Sequence, residues 1–193
     1  MKTNLHLALT IVAVAVFCAG SVSAKTLNHL FTGGLSYAVP SGGLADSTNA
    51  QPAVGFALGY LYRSGHHINV GVKGTWTQVS LGKTASADLS DFGITHVGLY
   101  GTFMYRLLRQ GWTPYAQLDA GMGFVFADQI IENQPVRIDG LSEVKVSYAA
   151  SVGLLVPVSD RVDADVSCRW FHTFVTNGYS MLGVQAGIVY ALQ

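Results

Sequence analysis

The segment Leu182–Leu192 alternates strictly between two kinds of side chain, and this constrains the fold more than any other part of the chain. Successive side chains of a β-strand point to opposite faces, so every second residue shares a face. One face would carry Leu182, Val184, Ala186, Ile188, Tyr190 and Leu192. The other face has two glycines, one glutamine and no charge. An apolar outer face over a small or polar inner face is typical of a barrel wall that contacts lipid.

The composition supports a barrel in a membrane. Charged residues make up 11% of the chain, against about 25% in a typical soluble domain. Past the N-terminal region, no apolar stretch reaches the roughly 20 residues of a membrane-spanning helix. A closed barrel of alternating strands satisfies its own backbone hydrogen bonds in lipid. The alternative is a soluble lipocalin-like barrel with the apolar face inward, which would leave few charges on its surface and crowd its rings into a narrow interior.

The N-terminus predicts export. Lys2 precedes a non-polar run, Leu5–Ala19, and small residues lead to Ala24. This pattern is typical of a secretory signal peptide cleaved after Ala24, because the run is short for a retained membrane helix. We therefore expect a signal peptide at residues 1–24 and a single barrel domain at residues 25–193. Cys168 is then the only cysteine, which excludes an intramolecular disulfide. The near-zero charge predicts no nucleic-acid partner.

Eight segments alternate as strands should, which predicts an all-β, eight-stranded, antiparallel up-and-down transmembrane barrel. They are residues 31–39, 54–62, 68–76, 95–105, 114–126, 144–156, 162–170 and 182–192. Short and long connections alternate between them, as expected for tight periplasmic turns and longer outer loops. The long connections would span residues 40–53, 79–94, 127–143 and 171–180. Aromatic residues cluster at both ends of the strands, where amphipathic rings meet a membrane–water boundary.

Three segments resemble the small outer-membrane β-barrel family, to which OmpX and the membrane domain of OmpA belong. They are Pro114–Gly123, the turn Pro157–Arg161 and the terminal strand. The resemblance implies a monomer in the outer membrane of a Gram-negative bacterium, surrounded by outer-membrane lipids and lipopolysaccharide. It also implies a non-enzymatic structural or surface-interaction role. A small-solute or hydrophobic-molecule conduit is the competing function.

The terminal strand is also similar to the assembly signal that the barrel-insertion machinery recognises in this family. The matching residues are Gln185, Gly187, Tyr190 and Leu192. Many family members end on Phe or Trp, whereas this chain ends on Leu192 and Gln193.

The charged residues on the predicted inner face are Lys73, Asp119, Lys145, Asp163, Asp165 and Arg169. An unpaired charge in a narrow interior is costly, so these residues should neutralise one another. Lys73 and Asp119 should lie near mid-height and Arg169 toward the outer side of the middle. We expect these three residues to form a structural cluster that closes the interior, with Asp165 nearby. The alternative is a path for protons or ions.

No catalytic, metal-binding or cofactor-binding residues are predicted. The nearest candidate is His172, with Thr176, Asn177 and Gly178 close by, and outer-membrane lipid A deacylases use a His, a Ser two residues later and a Glu. Phe174 occupies that serine position, so we expect an ordinary loop histidine and treat a lipid A-modifying hydrolase as a remote alternative. The adjacent His66 and His67 would diverge rather than chelate.

Overall fold

Eight antiparallel strands form a closed barrel in which each strand pairs with its sequence neighbours and β8 pairs with β1. The computed structural model describes residues 28–41, 49–82, 93–108, 111–127, 142–174 and 179–192. The strands are β1 (His29–Ser41), β2 (Ala53–Arg63), β3 (Ile68–Ser80), β4 (Gly93–Arg106), β5 (Thr113–Ala127), β6 (Ser142–Pro157), β7 (Val162–Thr173) and β8 (Tyr179–Leu192). The predicted fold class is therefore confirmed.

The predicted signal peptide lies outside the described residues. Within those residues, no helix is long and apolar enough to cross a membrane.

Several strands extend further than the sequence predicted. Val79 and Ile94, expected in a loop, are paired strand residues that face the interior and are buried. Strand β7 continues to Thr173 and β8 starts at Tyr179. The last connection thus spans only residues 174–178, and the expectation of a long loop at 171–180 is wrong. The ladder continues because these side chains still have partners to pack against inside the barrel.

The register around the barrel fixes its width. Following paired residues from His29 through all eight strands returns to β1 at Val39, a stagger of ten residues from position 29 to position 39. This stagger over eight strands corresponds to a strand tilt of about 40°. Such a barrel is just wide enough for its own side chains to fill the interior.

The apolar faces of the strands point outward. Leu118, Val152 and Ile188 are 62%, 63% and 55% exposed, whereas Asp119 on the opposite face of β5 is 2% exposed. The predicted orientation is confirmed, and the soluble alternative, which required these apolar side chains to face the centre, is excluded.

The interior has three layers between two ends of the barrel. We call the end with the connections 64–67, 107–112 and 158–161 the turn end, and the opposite end the loop end. The loop-end layer is an apolar cluster of Ala38, Ala53, Val79, Leu81, Ile94, Val125, Ala149, Phe171 and Met181. The turn-end layer is an apolar cluster of Leu30, Leu61, Met104, Tyr115, Leu155 and Val189. A belt of polar and charged residues separates them.

The expectation of a small or polar inner face is therefore correct at mid-height but incomplete nearer the ends, where apolar clusters share the interior with buried polar residues such as Arg106 and His96. Apolar side chains fill a narrow interior without needing hydrogen-bond partners.

The ring of Tyr100 lies flat over Gly98 inside the barrel. A Cβ atom on Gly98 would be 2.2 Å from Cε2 of Tyr100. We expect Gly98→Ala to displace this ring and lower the free energy of unfolding by about 1–3 kcal/mol. Urea titration of the folded protein in lipid vesicles measures the change. Gly65→Ala is the matched control, because a Cβ there meets nothing within 4 Å. Equal stability of the two variants would contradict this packing.

The outward orientation makes a second prediction. Leu118 lies near the middle of β5 and faces outward. In lipid vesicles, Leu118→Arg should lower the free energy of unfolding by about 2–4 kcal/mol, because the charge would lie at the bilayer midplane. Val158→Arg, in a turn at the end of the barrel, should cost about 0–1 kcal/mol. A larger loss at Val158 than at Leu118 would place the membrane band elsewhere.

Candidate functional site

Asp119 is the centre of the polar belt. It projects inward from β5, and its side chain is fully shielded from solvent. Its Oδ2 atom lies 3.1 Å from Nη2 of Arg169 on β7 and 3.8 Å from Nζ of Lys73 on β3. The structure thus brings together the three residues that the sequence predicted to form a cluster.

The second carboxylate oxygen of Asp119 is also occupied. Oδ1 accepts hydrogen bonds from Oγ1 of Thr102 at 2.9 Å and from Nε2 of Gln117 at 2.8 Å. Both oxygens of the buried carboxylate therefore have partners, as a stable buried charge requires. The sequence analysis assigned neither donor to Asp119. Gln117 lies two residues before Asp119 on the same face of β5. Thr102 on β4 lies directly opposite Asp119, so the register between these two strands could have predicted the second contact.

Asp165 is close to this cluster but has a different partner. It lies nearer the turn end, where its Oδ1 atom accepts a hydrogen bond from the Tyr115 hydroxyl at 2.7 Å. Asp165 and Lys73 line the same small cavity, with a volume of about 10 Å³. That space holds about one water molecule. Asp165 therefore balances the charge of Lys73 across the cavity.

Further polar contacts continue from the belt toward the loop end. The guanidinium of Arg169 lies 5.4 Å from the centre of the Tyr100 ring. Thr173 bonds to Ser147 at 2.6 Å and to Nε2 of His96 at 3.2 Å. This hydroxyl pair connects two strands at the level where the apolar cluster begins.

Two inward charges were missed by sequence reasoning. Arg63 and Arg106 were assigned to turns, but they are the last residues of β2 and β4. Arg106 is buried and Arg63 half-buried at the turn end of the interior. The alternation of each strand, extended by one residue, would have placed both on the inner face. Lys145 and Asp163, predicted to face inward, are half-buried.

The residues of the predicted assembly signal lie on both faces of β8. Gln185 is buried in the interior, and Tyr190 and Leu192 face outward. A Cβ on Gly187 would lie 2.3 Å from the carbonyl oxygen of Gly33. The closure of β8 on β1 therefore requires glycine at this position, and its use as an assembly signal stays a prediction.

His172 is not a loop histidine. It lies in β7 and faces outward, and its Nδ1 atom bonds to Oγ of Ser180 on β8 at 2.7 Å. The loop expectation is wrong because β7 continues three residues beyond the predicted end at Trp170. Thr176, Asn177 and Gly178 lie outside the described residues. Within the described part of the chain, no group of three or more His, Cys, Asp or Glu could hold a metal ion.

Comparison with known proteins gives a fold and no closer relationship. No protein-family model matches the chain, and no curated protein matches it significantly. Solved structures do match, although their sequence identities are low. Neisserial surface protein A has a TM-score of 0.61 at 15% identity, covering 85% of this chain and 97% of that one. The outer membrane protein OprG of Pseudomonas aeruginosa has a TM-score of 0.56 at 11% identity, covering 89% and 98%. Ail of Yersinia pestis has a TM-score of 0.51 at 16% identity, covering 86% and 100%.

The fold is that of the small outer-membrane β-barrels. The resemblance stated from the sequence is confirmed at this level. The matches cover nearly the whole of each barrel, which agrees with a chain whose described residues form one closed sheet.

The ion pairs of Asp119 make a prediction about stability. Asp119→Ala would leave Lys73 and Arg169 buried without their carboxylate, and we expect a loss of about 3–5 kcal/mol in the free energy of unfolding. Urea titration in vesicles measures it. Replacing Arg169 by Met in the Asp119→Leu background should recover most of the loss, because Asp165 still balances Lys73 and no uncompensated charge remains. A double variant as unstable as Asp119→Ala would contradict the charge-balance explanation.

Proposed function

We propose that this protein is an integral outer-membrane β-barrel with a structural or surface-interaction role and no enzymatic activity. The observation that carries the proposal is the filled interior. Asp119 joins Arg169 and Lys73 across the middle of the barrel, and an apolar cluster closes each end. The cavity beside Lys73 has room for about one water molecule and is too small for a larger solute.

The wall gives no support to a conduit either. A hydrophobic molecule could leave a barrel sideways only through a gap between strands. Strands β1 and β8, which close the barrel, pair without interruption from His29–Leu192 to Ser41–Ser180. The other seven strand pairs are also continuous over the described residues. A function carried by the surface of the barrel is therefore favoured over transport through it.

The proposed location rests on the outward face and the N-terminus. An apolar face on strands of 11 to 16 residues suits a bilayer, because roughly 9–11 residues suffice to cross it. We propose that residues 1–24 direct export and are removed, and that the insertion machinery recognises β8. The turn end would then face the periplasm and the loop end the cell exterior. Outer-membrane lipids and lipopolysaccharide would be the immediate partners of the monomer.

The surface role extends a property of similar structures. One of them is named a surface protein and another an attachment invasion locus protein. In this chain the longer connections lie at the loop end, where an external ligand would meet them.

Planar-bilayer recording tests the closed interior. We expect no regular conductance steps from the wild-type protein or from Asp119→Ala, because the two apolar clusters still fill the interior when the carboxylate is removed. Gel mobility before and after heating confirms that each inserted protein is folded. Steps from the wild type would favour the conduit, and steps only from Asp119→Ala would indicate a charge gate and would equally contradict the proposal.

A further inference from the structure

Four rings form a continuous patch on the outward face near the loop end. We call this the outer ring patch and define it as Tyr148, Trp170, His172 and Phe174. The ring of His172 is central: its centre lies 5.5 Å from that of Tyr148, 6.2 Å from that of Trp170 and 4.9 Å from that of Phe174. The Trp170 and His172 rings are nearly parallel, with 17° between their planes. The patch therefore presents ring faces around one imidazole.

A polar pair lies at the edge of this patch. His172 and Ser180 are directly opposite each other on β7 and β8, and Nδ1 of the imidazole bonds to Oγ of the serine. Among the described residues, Nε2 of His172 makes no hydrogen bond. Ser41, on β1, is the next residue in the same row across the sheet. Two ring nitrogens and two hydroxyls thus follow one another along an outward surface that is otherwise apolar.

The height of this row identifies the part of a lipid that would meet it. Below the row, the same strands expose Val166, Leu182, Val184 and Ile188, each more than half exposed. These residues are suited to acyl chains. Above the row, β8 ends at Tyr179 and β1 ends at Ser41. On β8 and β1 the polar row therefore lies where the acyl region ends and the headgroups begin, whereas the outward face of β6 stays apolar beyond Tyr148, at Val146 and Val144.

We propose that the outer ring patch, together with the His172–Ser180 pair, binds the phosphorylated sugar headgroup of an outer-leaflet glycolipid. The inference rests on the proposed placement of the barrel in the outer membrane. Flat amphipathic rings suit the interface and offer apolar faces to a sugar. The hydrogen-bonded pair supplies one donor for a phosphate or sugar oxygen: Nε2–H when the serine donates to Nδ1, or the serine O–H when Nδ1 donates to the serine. The acyl chains of the same molecule would continue down the apolar wall, so the site is continuous with the surface that already contacts lipid.

The opposite wall provides a matched comparison. Phe56 and Trp76, on β2 and β3, stack with their ring centres 5.5 Å apart and also face outward. Strands β2 and β3 lie across the barrel from β6 and β7 in the strand order. Trp76 pairs with Val97 on β4 as Trp170 pairs with Leu182 on β8, and the next outward pair toward the loop end is Gln78–Thr95 on this wall and His172–Ser180 on the other. The second wall therefore has a ring stack with an amide and a hydroxyl beside it, but no imidazole between the rings.

A serine bonded to a histidine is also part of a hydrolytic triad, and the structure favours binding over cleavage. A triad needs a third group, commonly a carboxylate, that orients the imidazole. No Asp or Glu among the described residues bonds to His172. Without that group, the imidazole is not held as a base for the serine.

Native mass spectrometry of the purified, folded full-length protein tests the proposal, with lipopolysaccharide of the lipid A–inner core type as the probe. We expect the wild type to retain one glycolipid per barrel. His172→Ala should reduce the retained fraction about tenfold, the effect of losing a hydrogen bond to a charged group. The double variant Phe56→Ala/Trp76→Ala should retain lipid within about twofold of the wild type, as expected for a site that depends on polar contacts.

Three outcomes would overturn the proposal. Equal retention by the wild type and His172→Ala would show that the patch is not the site, and no retention by the wild type would show that no such site exists. A lipid that loses an acyl chain only when Ser180 is present would replace binding by hydrolysis. Ser180→Ala is a second, smaller change that keeps the test valid if His172→Ala fails to fold. These results are independent of the bilayer recordings, which test the closed interior.

Discussion

The closure of eight strands with a ten-residue stagger determines most of what this barrel can do. The stagger sets the tilt, and strand number and tilt together set the width of the interior. An interior of that width must be filled by the side chains that point into it. Glycine is needed where strands or rings come closest, as at Gly187 against the backbone of β1 and at Gly98 beneath the Tyr100 ring. The same closure leaves no free strand edge, which is the condition for a sheet to be stable in lipid.

The narrow interior also explains why the oxygens of Asp119 are fully paired. A buried carboxylate is stable only when its oxygens have partners, and each oxygen of Asp119 has a cation or a neutral donor. Nearer both ends, two clusters of apolar side chains, which need no partners, fill much of the interior. The polar belt and the two apolar clusters together fill the interior, which supports the proposed role at the surface of the barrel.

On that surface, one histidine near the loop end of β6, β7 and β8 lies among three aromatic rings. There the imidazole of His172 is surrounded by rings and bonded to Ser180. A polar pair at the boundary between acyl chains and headgroups is a costly feature unless it has a polar neighbour. The headgroup of a glycolipid would be that neighbour. A filled interior and a lipid-binding outer ring patch are both consistent with the proposed role at the surface of the barrel.

The eight strands, their outward apolar face and the inward clustering of Lys73, Asp119 and Arg169 could be predicted from the sequence alone, because a period of two fixes which face each residue joins. The predicted strand ends were too short, since alternation fades near Val79 and beyond Trp170 while pairing with neighbouring strands persists. The contact of Asp165 with Tyr115 and that of Ser180 with His172 became visible only in the folded barrel. These contacts join strands through the register around the whole barrel, and a local alternating pattern carries no information about which residues become opposite one another.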